Sequence, residues 1–400
     1  MRRSSLSKDI PVSSNAHIPT IGFDARWLLR ERVSPHAALL KAFLSRNAEQ
    51  PFRAKFILYG DGKVTVSSLT KAPNVDVRVV RAIPEYIGQM LDDWWVNVAL
   101  AKAARADRID AFFSPYYKVP LFLRVPRINM VHDLSYFVLP DELLQSRFRP
   151  KARKWHLKRF MMVNCNAAKF TVTVSNYSKG CLQKILKLEP TRIRVCHNGV
   201  NLGIAQCTRG LLNELKTRFC LPEEYLLFVG SNIEKKNLQG LLTAFSLLPE
   251  DLRVHVPLVL KTSSGSLEIH TKQLGILGQV IIIDEHLSDR EVASLIGGAR
   301  ALALLSFDEG FGMPVVEAMA AGVPVVVARG SALEEIVSHS GLLVDPYRPE
   351  DAAEALMRIL MSTPDKYRQM SERCRAQAEK FSETRAAGCL FSIMKEAIAK

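Results

Sequence analysis

With 400 residues, 48% of them apolar and 24% charged, the chain is too long for one ordinary core and too mixed for a fibrous or disordered protein. Its net charge of +14 is one-sided: residues 1–200 hold 33 Lys+Arg against 15 Asp+Glu, and the remainder hold 21 against 25. The first half is expected to meet something acidic, whereas the absence of zinc spacing, a helix-turn-helix or an RNP-like run argues against nucleic acid.

Residues 1–17 are polar and Ser-rich with no apolar h-region, so they read as a flexible tail and not as a secretory signal. No later apolar run approaches the ~18 residues of a membrane span. Short apolar or β-branched runs then alternate with longer amphipathic stretches, the pattern of parallel βα units. Strands are predicted at Ile18–Asp24, Ala54–Tyr59, Val75–Val80, Ala111–Ser114, Ile128–His132, Phe170–Val174 and Ile193–Cys196. Helical periodicity is clearest over Ala37–Arg46, Trp94–Ala106 and Arg153–Asn164. A second strand series is predicted at Tyr225–Val229, Val256–Leu260, Val280–Ile283, Ala301–Leu305, Val323–Ala328 and Gly341–Val344. The stretch Pro364 to Lys400 reads as helix interrupted near Phe381-Ser382. Seven cysteines without a C-x-x-C pair suggest reduced thiols in a cytoplasm.

The most informative run is Ser306-Phe-Asp-Glu-Gly-Phe-Gly-Met-Pro-Val-Val-Glu317. A strand ends, a loop with Gly310 and Gly312 follows, and Pro314 suits the first turn of a helix. Such a helix start offers free amides and positive potential to a phosphate. Helix side chains tilt toward the N-terminus, so Glu317 is able to reach back over the ligand that Glu309 meets. Ionised carboxylates accept hydrogen bonds only, which suits the paired hydroxyls of a ribose or hexose.

This run resembles the donor motif of the family-4 retaining glycosyltransferases with the GT-B fold, and weaker likenesses extend over nearly the whole chain. Leu227 to Asn237 (LFVGSNIEKKN) resembles the family's diphosphate-binding segment, and Val280–Ala299 resembles the part beside the nucleotide base. His132-Asp133 resembles its HD element, while Thr173–Ser178 and Asn198-Gly199-Val200 resemble the end of its N-terminal domain.

The resemblance implies an α/β protein of two facing Rossmann-like domains with parallel sheets, its C-terminal helix returning to the N-terminal domain. It places an acceptor domain at residues 18–200, a linker at 201–222, a donor domain at 223–378 and the returning helix at 379–400. It also implies catalytic roles for His132, Glu309 and Lys236. Donor contacts would come from Gly230, Lys235, Asn237, Leu287, Gly310, Phe311, Gly312, Met313 and Glu317. Glu309 would meet the sugar hydroxyls and Glu317 the ribose, with Lys235 and Lys236 neutralising the diphosphate. No cofactor and no divalent metal is implied. The partners would be a nucleotide-diphosphate sugar and a saccharide acceptor. His132-Asp-Leu-Ser-Tyr136 resembles mannosyltransferases of bacterial surface polysaccharide, which favours GDP-mannose over UDP-glucose. A non-catalytic nucleotide-sugar binder of the same fold is the alternative.

The opening turn departs from the family: Arg30-Glu-Arg-Val-Ser-Pro-His36 replaces the glycine-rich loop expected beside the phosphates. Lys235-Lys236 replaces an Arg-Lys pair, giving up a bidentate fork for a point charge. The run Arg147 to Phe160 holds seven Lys/Arg with aromatics interleaved. Arg149, Arg153, Lys154, Trp155 and Lys158 are therefore expected to contact an anionic cytoplasmic leaflet and admit a lipid-linked acceptor.

Overall fold

The computed structural model describes residues 17–29, 35–49, 52–61, 72–80, 92–144, 151–203, 209–265 and 267–399. Residues 1–16 of the expected tail, Arg149 and the Arg30-to-Ser34 part of the departing loop lie outside them.

Among the described residues thirteen strands form two sheets, one strand for each predicted run. The first sheet comprises β1 (Thr20–Asp24), β2 (Lys55–Gly60), β3 (Val75–Val79), β4 (Ala111–Phe113), β5 (Arg127–Val131), β6 (Phe170–Thr173) and β7 (Ile193–Val195). The second comprises β8 (Leu226–Val229), β9 (Leu258–Lys261), β10 (Val280–Ile283), β11 (Ala301–Leu304), β12 (Val325–Ala328) and β13 (Leu342–Val344). Their orders are β3-β2-β1-β4-β5-β6-β7 and β10-β9-β8-β11-β12-β13, with every pairing parallel. Strands covered on both faces need continuous apolar runs, and LLFV, ALAL and VVVA supply them with almost no exposure. Each sheet therefore has a switch point where the strand order reverses, between β1 and β4 in one domain and between β8 and β11 in the other. Crevices at such points, at the carboxyl ends of the strands, are where open α/β sheets bind ligands.

Helix starts are chemically marked. Ser175 caps the helix Asn176–Leu186 by accepting from the Ser178 amide, and Ser288 and Glu291 form a reciprocal capping box on Asp289–Gly297. The helix expected over Trp94–Ala106 is already helical at residues 92–94 and passes through π-type turns at Trp95–Leu100 before the α-helix Ala101–Ala106. The helix Arg209–Phe219 lies inside the stretch expected to be linker. It buries Leu215, and Arg218 pairs with Glu285 and Glu291, so it packs as part of the second domain.

After Pro364–Ala378 the chain crosses back. Val200 and Phe381 pair through their backbones at 2.8 Å, and the helix Glu383–Ile398 then packs on Pro35–Glu49 and under β4 and β5. Phe391 stacks on Phe52 at 4.3 Å, while Ala387, Leu390 and Met394 are fully buried. The first domain's core thus includes the returning helix, as expected.

Candidate active site

The second domain's switch point carries the expected motif residues. After β8 the chain makes a single 3₁₀ turn, Glu234–Lys236, ended by Asn237 in the left-handed conformation at φ 54°. The Asn237 side chain accepts from the Gly240 amide and donates to the Leu305 and Pro346 carbonyls at 3.1 and 2.7 Å. It therefore ties the lysine turn to the end of β11. The Phe307 amide adds a 2.9 Å bond to the Lys235 carbonyl, so the lysine turn and the motif loop form one fastened unit.

Two carboxylates of this loop and helix stand in different environments. Glu309 is buried and pairs with Lys236 Nζ at 2.5 Å. Glu317 lies on the helix Met313–Ala321, and among the described residues no cation pairs with it as Lys236 pairs with Glu309. Burial, aided by the charge of Asp289 and only partly offset by Lys41, pushes its carboxyl up to about 7. Lys41 and Asp289 themselves bridge the domains at 2.8 Å. Gly312 caps that helix at φ 106°, a conformation only glycine adopts easily, and its missing Cβ leaves room for Leu333.

Gly310 proves to serve a close approach of protein to protein. A Cβ there would sit 2.2 Å from the His132 carbonyl oxygen, in the opposite domain. His132 follows β5, and its Nε2 lies 2.9 Å from the Pro115 carbonyl. The next residue, Asp133, lies 3.4 Å from Lys235 Nζ across the gap. Burial raises its carboxyl, but Lys235, the Ser135 amide and His132 outweigh that and hold it below the usual range. The structure thus brings His132, Lys235, Lys236, Glu309 and Gly310 together. Gly230 follows β8, its amide bonded to the Lys261 carbonyl at 3.2 Å, and Met313 opens the helix. Leu287 and the Phe311 ring are core groups; Phe311 packs edge-on to Phe381 at 5.6 Å near the crossing. Only their backbones are left to meet a ligand. At the same sheet end, the buried hydroxyls of Ser306 and Thr262 find no partner among the described residues.

Three contacts across the gap lay beyond sequence reasoning. Asp308 is buried and accepts from Ser135 Oγ at 2.5 Å and from the Tyr177 hydroxyl. Ser175 Oγ donates to the Gly310 carbonyl at 2.9 Å. Glu335 accepts from the Asn176 amide at 2.8 Å, from the Tyr177 amide at 3.2 Å and lies 3.0 Å from His197 Nε2. The signal was present but unweighed: the three hydroxyls sit inside the HDLSY and TVSNYS runs.

On the basic helix Lys151–Ala167, Arg153, Trp155, His156 and Arg159 face solvent, whereas Phe160 turns inward against Tyr117. Lys154 pairs with Asp141 at 3.3 Å, and Lys158 is half-buried. Among the described residues, no helix is long and apolar enough to cross a membrane, and no group of three or more His, Cys, Asp or Glu could hold a metal ion.

The family described as Glycosyltransferase Family 4 matches residues 51–203, and that described as Glycosyl transferases group 1 matches residues 216–380. O-antigen chain mannosyltransferase B of Escherichia coli is 28% identical over 264 residues, 64% of this chain and 66% of that protein. The MMP alpha-(1->4)-mannosyltransferase of Mycolicibacterium hassiacum is 27% identical over 63% of this chain and 60% of its own length. The chain thus spans slightly less than two thirds of each of these relatives. In three dimensions, HepE of Anabaena, solved in complex with UDP and glucose, superposes with a TM-score of 0.70 at 17% identity, covering 95% of this chain and all of that one.

Proposed function

The chain belongs to glycosyltransferase family 4, and on that premise we propose that it moves a hexose from a nucleoside-diphosphate sugar to a saccharide acceptor with retention of configuration. One observation carries the reading: a buried Glu309–Lys236 ion pair beside a glycine-capped helix start, at a switch point that faces His132 across the gap.

The chemistry follows from exchange of partners. A diphosphate entering at the helix start would draw Lys236, and Lys235 with it, away from Glu309 and Asp133. Glu309 would then be free to accept from sugar hydroxyls. The two ammonium groups and the helix amides would stabilise charge as the phosphate departs, and the departing oxygen would take the proton of the incoming hydroxyl. His132 would border the transferred sugar. Glu317, neutral or charged near pH 7, would meet the ribose.

The mannosyltransferase relatives support a mannosyl donor, and so GDP-mannose before UDP-glucose. The first half's positive charge supports a lipid-linked acceptor in surface-polysaccharide synthesis, reached from the cytoplasmic leaflet. Trp155 and Val163 are more than half exposed on the basic helix. Phe122 and Trp94 are exposed on elements packed against its neighbours: the Val119 amide bonds Asn164 at 3.0 Å and the Leu121 amide bonds Asn97 at 2.8 Å. Aromatic anchors ringed by arginine suit anionic headgroups.

The test is thermal stabilisation by a panel of nucleotides and nucleotide sugars, followed by transfer assays with whichever donor binds. Ligand at about 100 times its dissociation constant should add roughly 2.7 kcal/mol. A shift confined to guanine nucleotides supports the mannosyl reading, one confined to UDP species replaces it, and no shift with any overturns the donor site. For the membrane arm, charge reversal at Arg153 and Arg159 should abolish binding to phosphatidylglycerol vesicles; unchanged binding removes that surface.

A further inference from the structure

We propose that Asp308 is a positioning residue for sugar transfer, holding Glu309 over the gap by gripping Ser135 and Tyr177 of the opposite domain. The inference rests on the transferase reading above, with Glu309 as a donor-sugar ligand.

Residues 307–310 alternate in direction along the loop. Phe307 stays with its own domain, its ring 4.9 Å from Tyr347, and Glu309 also stays, paired with Lys236. Asp308 and Gly310 turn the other way and meet Ser135, Tyr177 and Ser175. Gripping the loop at 308 and 310 therefore fixes residue 309 between them. The two hydroxyls that hold Asp308 come from separate elements, the turn after β5 and the helix after β6. Neither reaches it unless the whole first domain is docked.

A carboxylate suits this role. It accepts without donating, so two hydroxyls satisfy it from one side, and bonds to a charged acceptor are stronger than neutral ones. Its burial is tolerable only while those bonds exist. With the domains apart, water would hydrate Asp308 and the loop would lose its grip. Glu309 is thus oriented when the domains meet and released when they part. Nucleotide binding, which needs the second domain alone, is untouched by the grip.

The test uses the full chain with Tyr177→Phe, Asp308→Asn and the double variant. Each single change is expected to lower kcat by 10- to 100-fold, with donor KM and the thermal shift given by nucleotide unchanged. Both changes act on one contact, so the double variant should be no worse than the poorer single. Asp308→Ala should be the most impaired, and Asp308→Asn, which keeps one accepting oxygen, should retain more activity. Unchanged kcat in Tyr177→Phe, losses that multiply in the double variant, or a donor KM that rises in step with the loss would overturn the proposal. If the unaltered protein transfers no sugar from any donor, the function reading fails first. The grip is then read by small-angle scattering, where Asp308→Ala should enlarge the molecule and unchanged scattering would sink it.

Discussion

The two sheets have the same strand order around their switch points, yet their charges are arranged in opposite ways. In the first domain Asp24 ends β1, and Arg26 bonds it through Nε at 2.9 Å and Nη2 at 2.7 Å while lying 4.1 Å over Trp95. Arg26 also pairs with Asp92, and Lys118 reaches Asp92 and Asp93, each at 2.6 Å. Burial alone would lower the Lys118 ammonium, but its two aspartates hold it above the usual lysine range. All of these charges find partners within one domain. In the second domain Lys235 and Asp308 find theirs across the gap, and Lys236 holds a glutamate that sits beside a helix start. A network closed within one fold is scaffolding. One whose partners belong to a separate domain is able to exchange them for a ligand.

The sharpest way to break this contrast is to remove one cation from each network. Lys236→Ala and Arg26→Ala both leave a buried carboxylate without its partner, so each should cost about 3–5 kcal/mol of stability. Only Lys236→Ala should also lose the melting shift produced by nucleotide. If Arg26→Ala loses it equally, the first network is part of the donor site and the contrast falls.

Gly310→Ala probes the gap itself. The added methyl carbon would meet the His132 carbonyl, and backbone is unable to yield by the required distance. Misplacement of the docked domains should lower transfer by about 100-fold, with nucleotide affinity retained. Steady-state kinetics beside calorimetric nucleotide binding separates the two, and a lost affinity would mean that the glycine serves the phosphate directly.

The smallest effect concerns Glu317. Its folded-state pKa of about 7 lies above the ordinary 4.5, so the folded protein binds the proton more tightly than the unfolded chain. Stability contributed by the protonated form is full below pH 4.5 and is lost as pH rises to about 7. Glu317→Gln should therefore raise the melting temperature at pH 8 and leave it unchanged at pH 4, at the expense of nucleotide affinity. A stabilisation equal at both pH values would show that the carboxyl's charge is not what strains this helix.

Much of this was legible in the sequence because it is local. The strand runs are short and apolar, and strand burial on both faces demands that pattern. The motif loop announces itself by two glycines and a proline. What was hidden depends on docking. Nothing in the neighbourhood of Tyr177 or Ser135 says that a carboxylate over a hundred residues away will meet both. The missing Cβ of Gly310 is plain in the sequence, but nothing there says that the body approaching it is the other domain. Helical periodicity found the helix after Trp94, yet gave no sign of its π-type turns.

The returning helix Glu383–Ile398 has a consequence for how the molecule is made. The first domain leaves the ribosome first, but the surface that Leu390, Met394 and Phe391 will cover stays bare until the whole second domain has been synthesised. Domains ordinarily fold as units in the order of their synthesis. Here the later domain has all its strands in hand before the earlier one can seal its own interior. The half made first is the half finished last, and in the interval its exposed apolar face is what a chaperone would have to shield.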